Sequence, residues 1–163
     1  MVDNCVSADY NMCIYTIMSK RTEISQCYCI NLRRANGVVT KYYDQMFKPL
    51  GLTVSQFSLL VNLRQLEPTG VSRLAEKLGL ERTTLTRSLK PLFEAGLVED
   101  AAPPDSRERR MSLTATGRAK IKSGMKCWIQ AQNGIEDHLG PKKLALLQNL
   151  LRELESLGDT LVK

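Results

Sequence analysis

The sequence SRLAEKLGLERTTLTRSLKPLFEA occupies residues 72–95 and predicts two short helices joined by a tight turn. Its apolar residues recur at helical spacing: Leu74, Ala75, Leu78, Leu85, Leu89, Leu92 and Phe93. Gly79 suits the left-handed position that commonly follows a helix end. Only Leu80 and Glu81 separate the two helices. This pattern is typical of a helix-turn-helix, in which the second helix is available to enter a groove of DNA.

A β-hairpin is predicted directly after the second helix, which Gly96 ends. Residues 97–100 and 111–114 have the composition of two short strands, and the polar segment between them contains Pro103 and Pro104. The chain therefore combines a helix-turn-helix with a hairpin wing. We expect a mainly α fold with a small β-hairpin, a winged helix-turn-helix flanked by N- and C-terminal dimerisation helices.

Longer helices are predicted on both sides of this module. A helix over about 24–47 has an apolar stripe at steps of three and four: Tyr28, Leu32, Ala35, Val39, Tyr42 and Met46. Thr53 and Gln56 form a capping-box pattern before a helix that ends near Leu66. Another helix starts at Thr114 or Thr116, and Gly140-Pro141 interrupts the chain before the last one. We divide the chain into an N-terminal arm and dimerisation helix (1–50), the winged module (51–114) and C-terminal dimerisation helices (115–163).

The last helix has a leucine stripe that suits packing against another helix. Its members recur at steps of three and four: Leu147, Leu150, Leu154, Leu157 and Leu161. An ordinary contact within the chain is the alternative interpretation. A symmetric dimer would cover this face and place two recognition helices one DNA turn apart, which requires a pseudo-palindromic operator.

The second helix of the module presents a polar face without acidic side chains between Arg82 and Lys90. The candidate DNA-contacting residues there are Arg82, Thr83, Thr84, Thr86, Arg87 and Lys90. Hydroxyl groups offer short hydrogen-bonding arms, and arginine binds either a guanine edge or a phosphate. The alternative is a solvated helix face with no partner.

The hairpin loop adds four candidate DNA contacts, Asp105, Arg107, Arg109 and Arg110. An arginine at a hairpin tip suits the negative potential of a narrow minor groove, and Asp105 is placed to orient Arg107. The charge of the chain is +6, and seven basic residues against one acidic residue lie between Arg107 and Lys126. An exposed basic loop without a partner is the alternative, but double-stranded DNA is the predicted partner.

Composition excludes several other classes of protein. His138 is the one histidine, so a multi-histidine metal site is excluded, and we find no phosphate-binding or dinucleotide-binding glycine motif. We predict no cofactor, no metal and no enzymatic activity, although a cysteine- or carboxylate-based enzyme and an interaction module without DNA binding stay open. Five cysteines, no basic leader and no run near the ~20 apolar residues of a membrane helix favour the cytoplasm.

Five separated motifs occur in a fixed order along the chain: LAEKLGL (74–80), RTTLTR (82–87), GLV (96–98), Asp105-x-Arg107 and LTxxG (113–117). Together they resemble the MarR family of bacterial transcriptional regulators over about residues 27–162. The resemblance implies a homodimeric regulator, usually a repressor released by a small molecule or by oxidation. It places Arg82, Thr84, Thr86 and Arg87 on the recognition helix, and it makes Asp105 and Arg107 the wing pair.

The same resemblance implies two alternative sensors. Small phenolic effectors of such regulators bind where the dimerisation helices meet the winged module, and Tyr42, Tyr43, Phe57 and Trp128 are candidates to line that site. The alternative interpretation of each of these aromatic residues is ordinary packing in the core or in the dimer interface. Alternatively, Cys29 aligns with the sensor cysteine of organic-hydroperoxide regulators, and Cys127 lies in a later helix where some relatives carry a resolving cysteine. Those regulators place tyrosine hydroxyls near the thiol, whereas residues 53–57 of this chain contain no tyrosine.

Overall fold

The computed structural model describes residues 24–103, 106 and 109–158. They belong to two compact units, one that ends at Lys41 and one that starts at Tyr42. The elements in chain order are α1 (Tyr28–Phe47), a 3₁₀ turn (Lys48–Leu50), α2 (Val54–Leu66), α3 (Val71–Leu78), α4 (Arg82–Glu94), β1 (Val98–Asp100), β2 (Met111–Leu113) and α5 (Ala115–Glu155). The mainly helical fold with one small hairpin confirms the predicted winged helix-turn-helix class.

Helix α1 begins at Tyr28, four residues later than predicted. The Asn31 side chain explains the difference because it forms hydrogen bonds with both the N–H and the carbonyl group of Ser25. The Ser25 N–H donates to Asn31 Oδ1 at 3.0 Å, and Asn31 Nδ2 donates to the Ser25 carbonyl at 2.6 Å. These bonds offer the chain an alternative to helical hydrogen bonding before Tyr28.

Local signals fix the ends of α2 and α3 as predicted. The capping box at Thr53 is complete: the Gln56 N–H donates to Thr53 Oγ1 at 3.2 Å, and the Thr53 N–H donates to Gln56 Oε1 at 2.9 Å. Gly79 follows α3 with a φ of 62°, and the Leu80 N–H donates to the Ala75 carbonyl at 2.9 Å. This left-handed cap turns the chain directly into α4.

The core of the second unit forms around α2, which packs against α3, α4, β2 and α5. The largest fully buried side chains come from the end of α1 and from α2, α3, α4, β2 and α5: Phe47, Leu60, Leu63, Leu74, Leu85, Leu92, Met111 and Ile121. The helix-turn-helix and the hairpin therefore share one hydrophobic core. The described helices include none that is both long and apolar enough to cross a membrane.

The hairpin pairs β1 with β2 in antiparallel register, with Val98 opposite Leu113 and Asp100 opposite Met111. The other edge of β2 is also occupied. Thr69 and Met111 exchange two backbone hydrogen bonds of 3.1 and 2.8 Å, and the Leu113 N–H donates to Glu67 Oε2 at 2.6 Å. The segment after α2 therefore completes the hydrogen bonding of a strand that is only three residues long.

Helix α5 is anchored to the hairpin at its first turn. The Thr114 side chain caps the helix by accepting from the Gly117 N–H at 3.0 Å and donates its own proton to the Gly96 carbonyl at 2.7 Å. Gly117 is buried against Leu97, where a side chain would overlap the Leu97 carbonyl oxygen. The predicted break at Gly140 is a kink inside this helical span.

Candidate nucleic-acid interface

Helix α4 has a buried apolar face and an exposed polar face. Leu85, Leu89 and Leu92 are at most 2% exposed and join the core. The six predicted DNA-contacting residues of this helix are all exposed: Arg82, Thr83, Thr84, Thr86, Arg87 and Lys90. The helix thus presents cationic and hydroxyl groups outward from a rigid apolar base, as insertion into a groove requires.

Two contacts within α4 change what individual residues can offer a partner. The Thr86 hydroxyl donates to the Arg82 carbonyl at 2.8 Å, so Thr86 has acceptor capacity left for an outside group. Lys90 Nζ lies 3.8 Å from Glu94 Oε1 in an exposed pair, which is weak in water. The sequence analysis missed both contacts, although the spacing of four residues within a helix is a signal for each of them.

The structure places half of the predicted wing contacts. Arg109 and Arg110 are described and exposed, whereas Asp105 and Arg107 lie outside the described residues. The Ala101 N–H donates to the Arg110 carbonyl at 2.6 Å, which extends the backbone pairing of the hairpin beyond its last strand residues. The positions of Arg109 and Arg110 therefore follow from the hairpin itself.

Asp100 is a residue of this region that the sequence reasoning missed. Its Oδ1 accepts from the Ala102 N–H at 3.1 Å and from the Arg110 N–H at 3.0 Å. Its Oδ2 lies 3.7 Å from Arg109 Nε. An aspartate two residues before a loop amide is a recognised turn pattern, and that signal predicts the first bond but not the second.

Part of the basic segment between Arg107 and Lys126 serves the fold. Arg118 pairs with Glu67, whose side chain is 12% exposed. Lys120 Nζ donates to the Leu50 carbonyl at 2.6 Å. Lys122 and Lys126 are exposed on α5. The charge excess next to the hairpin therefore overstates the number of cations available to a polyanion.

Three of the four predicted effector-site aromatics line one cavity of about 430 Å³, namely Tyr43, Phe57 and Trp128. Tyr42 is not among the described lining residues, and its hydroxyl lies against Gly134 of α5. The remaining lining residues are also uncharged: Val54, Ser58, Val61 and Met125. Burial raises the pKa of the Tyr43 hydroxyl above its ordinary value of 10.0, and Tyr42 and Glu136 raise it further. The lining is thus neutral and mainly apolar near pH 7.

The structure describes both of the predicted sensor cysteines. Cys29 is exposed, Cys127 is partly buried, and both are free thiols.

Four leucines of the stripe, Leu147, Leu150, Leu154 and Leu157, are 41–47% exposed. Leu161 lies outside the described residues. The described residues of α1 and α5 also leave other large apolar side chains exposed, including Tyr28 at 82% and Leu146 at 58%.

Comparison with known proteins places this geometry among transcriptional regulators. The sequence model of the MarR family matches residues 52–108. The M. tuberculosis transcriptional regulator MosR, solved in complex with DNA, is 36% identical with a TM-score of 0.66, covering 81% of this chain and 98% of MosR. The repressor CouR, solved with p-coumaroyl-CoA, is 25% identical with a TM-score of 0.74, covering 84% of this chain and 97% of CouR. An uncharacterised HTH-type regulator of Bacillus subtilis, YwoH, is 32% identical over 91 residues, which are 56% of this chain and 66% of YwoH.

Proposed function

The chain belongs to the MarR family of transcriptional regulators, and from this membership we propose that it binds double-stranded operator DNA as a homodimer. The observation that carries the proposal is the exposed cationic and hydroxyl face of α4, backed by three buried leucines. MosR, which is 36% identical to this chain, was solved with DNA bound. The proposed activity is regulatory rather than enzymatic and is exerted in the cytoplasm.

In the proposed complex, α4 occupies the major groove and the wing contacts the neighbouring minor groove. Arg82, Thr83, Thr84, Thr86, Arg87 and Lys90 are the proposed contacts from α4, and Asp105, Arg107, Arg109 and Arg110 those from the wing. Arginine binds guanine bidentately in the major groove, while minor-groove arginines respond to groove width. Arg87 is the proposed base-reading residue, and Arg107 the proposed minor-groove residue.

Dimerisation is proposed through the exposed apolar faces of α1 and α5. The leucines at 147, 150, 154 and 157 are each more than two fifths exposed, and a second copy would remove them from water. A two-fold axis repeats the DNA-binding face at a spacing of about 34 Å along the duplex. The operator is therefore proposed to be a pseudo-palindrome, and the outcome of binding to be repression.

A small aromatic effector is proposed to occupy the cavity lined by Tyr43, Phe57 and Trp128. Its volume of about 430 Å³ suits one small molecule, and three aromatic walls favour a stacked ring. CouR, a repressor of the same fold, was solved with the phenolic thioester p-coumaroyl-CoA. Release follows if the effector binds more tightly to a dimer whose recognition helices are wrongly spaced for successive major grooves.

Oxidation is the alternative signal, and the exposure of the Cys29 thiol favours it. An exposed thiol is open to peroxide, which would convert it to a sulfenic acid that condenses with another thiol, for which Cys127 is the proposed partner. Under this alternative, reductant restores DNA binding, whereas a phenolic effector acts without any change in thiol state.

One experiment tests DNA binding and separates the two signals. Genomic fragments retained by the purified protein are sequenced, and we expect them to share a pseudo-palindromic element. The bound fragment is then challenged with a panel of phenols and with organic hydroperoxide, each with and without reductant. Release of the DNA fragment by a phenol in the presence of reductant supports effector binding in the cavity. Release by hydroperoxide that reductant reverses supports oxidation of Cys29. Failure to retain any shared element would contradict the proposed function.

A further inference from the structure

We infer that Asp100 is the residue that positions the basic arm of the wing, Arg109 and Arg110, for DNA. This role rests on the proposed DNA binding and gives it a specific determinant at the base of the hairpin. Asp100 is acidic, and an acid beside a phosphate-facing loop is unfavourable for DNA affinity unless it serves another purpose. Its contacts identify that purpose.

The first contact replaces a missing rung of the β-ladder. The register ends with Asp100 opposite Met111. One step further, the Ala101 N–H donates to the Arg110 carbonyl, but the Arg110 N–H donates to Asp100 Oδ1 at 3.0 Å. The carboxylate therefore satisfies an amide on the return side of the loop, which fixes the backbone from which the Arg110 side chain projects.

The same oxygen also holds the outgoing side of the loop, where the Ala102 N–H donates to it at 3.1 Å. One acceptor thus ties together both ends of the loop. Charge-assisted bonds from amides to a carboxylate are stronger than bonds between neutral groups. Opening of the hairpin base would break both bonds at once, so the carboxylate restrains the backbone at Ala102 and at Arg110.

The second oxygen acts on a side chain. Asp100 Oδ2 lies 3.7 Å from Arg109 Nε, and the Arg109 side chain is 81% exposed. An exposed pair at this distance contributes little to stability. Its effect is directional, since the guanidinium is attracted to the hairpin base while its remaining N–H groups stay available to a phosphate.

Three variants separate the positioning role from the charge. D100N and D100A both remove the charge, but the amide oxygen of asparagine still accepts from Ala102 and Arg110, whereas alanine cannot. E99Q is the matched control, because Glu99 is the exposed neighbour that points to the opposite face of the strand. We expect E99Q to bind the selected operator at least as tightly as the unaltered chain. D100N loses the attraction between Asp100 and Arg109 but also removes a negative charge near the phosphates, so we expect its affinity to stay within about twofold of the unaltered chain. D100A, compared per folded molecule, should bind about fivefold more weakly than D100N.

Amide hydrogen exchange supplies a readout that needs no DNA. We expect the Arg110 and Ala102 amides to exchange faster in D100A than in D100N, while amides of α2 are unchanged. Equal operator affinities of D100A and D100N, or equal exchange at Arg110, would overturn the positioning role and leave the proposed function standing. If the unaltered chain binds no fragment, the proposed function fails, and the positioning role fails with it.

Discussion

Replacing Arg87 with alanine is expected to lower operator affinity by about 10- to 100-fold, which corresponds to ~1–3 kcal/mol. Arg87 lies on the exposed face of α4, one turn after Thr83 and opposite the buried Leu85 and Leu89 that hold the helix in place. A bidentate arginine–guanine contact discriminates against other bases, so the variant should also tolerate a changed base at one half-site position. Competition binding with operator variants measures both effects.

Two further variants calibrate this result. Arg107→Ala removes the proposed minor-groove contact and should weaken binding less than Arg87→Ala. Arg33→Ala removes the same charge from an exposed position of α1, a helix that supplies none of the proposed DNA contacts. It should bind like the unaltered chain. Full affinity in both Arg87→Ala and Arg107→Ala would show that the contacts are assigned to the wrong residues.

Replacing Gly117 with alanine is expected to destabilise the protein by about 3 kcal/mol. A methyl group at this position would overlap the carbonyl oxygen of Leu97 and lie 3.3 Å from Leu113 Cδ2. The first neighbour is backbone and cannot rotate away. Helix α5 would have to move off the hairpin, which strains the bond of 3.1 Å from the Thr114 N–H to the Leu97 carbonyl. Urea denaturation followed by circular dichroism measures the loss.

Gly37 provides the matched control for this substitution. It lies inside α1, and a methyl group there has no heavy atom within 4 Å. Alanine is the better helix former by about 1 kcal/mol, so Gly37→Ala should stabilise the chain slightly. The two glycine substitutions are thus expected to change the free energy of unfolding in opposite directions: Gly117→Ala lowers it and Gly37→Ala raises it. A loss below ~1 kcal/mol for Gly117→Ala would contradict the close packing of α5 on the hairpin.

Features with a local cause were predictable from the sequence. The capping box at Thr53 and the left-handed cap at Gly79 require only residues three to five positions apart, and both were confirmed. The bond from the Leu113 N–H to Glu67 joins residues 46 positions apart and has no local signature. It depends on how α2 and the hairpin pack, which periodicity alone does not specify.

The candidate site divides in the same way. Alternation of polar and apolar residues predicted the exposed face of α4, because a helix can bury only one side. Tyr42 and Tyr43 are consecutive on α1 and point about 100° apart, so composition could not decide which one lines the cavity. Packing decides it, since the Tyr42 hydroxyl lies against Gly134 while Tyr43 faces Phe57 and Trp128.

Equilibrium binding of the selected operator fragment across a range of salt concentrations tests the central claim most directly. Contacts from two copies of α4 and of the wing neutralise several phosphates and release their counterions. We expect two chains per fragment and a fall in affinity of at least ~1000-fold between about 50 and about 200 mM salt. Affinity that does not change with salt, or binding no tighter than to random DNA, would contradict the claim that this chain is a sequence-specific DNA-binding regulator.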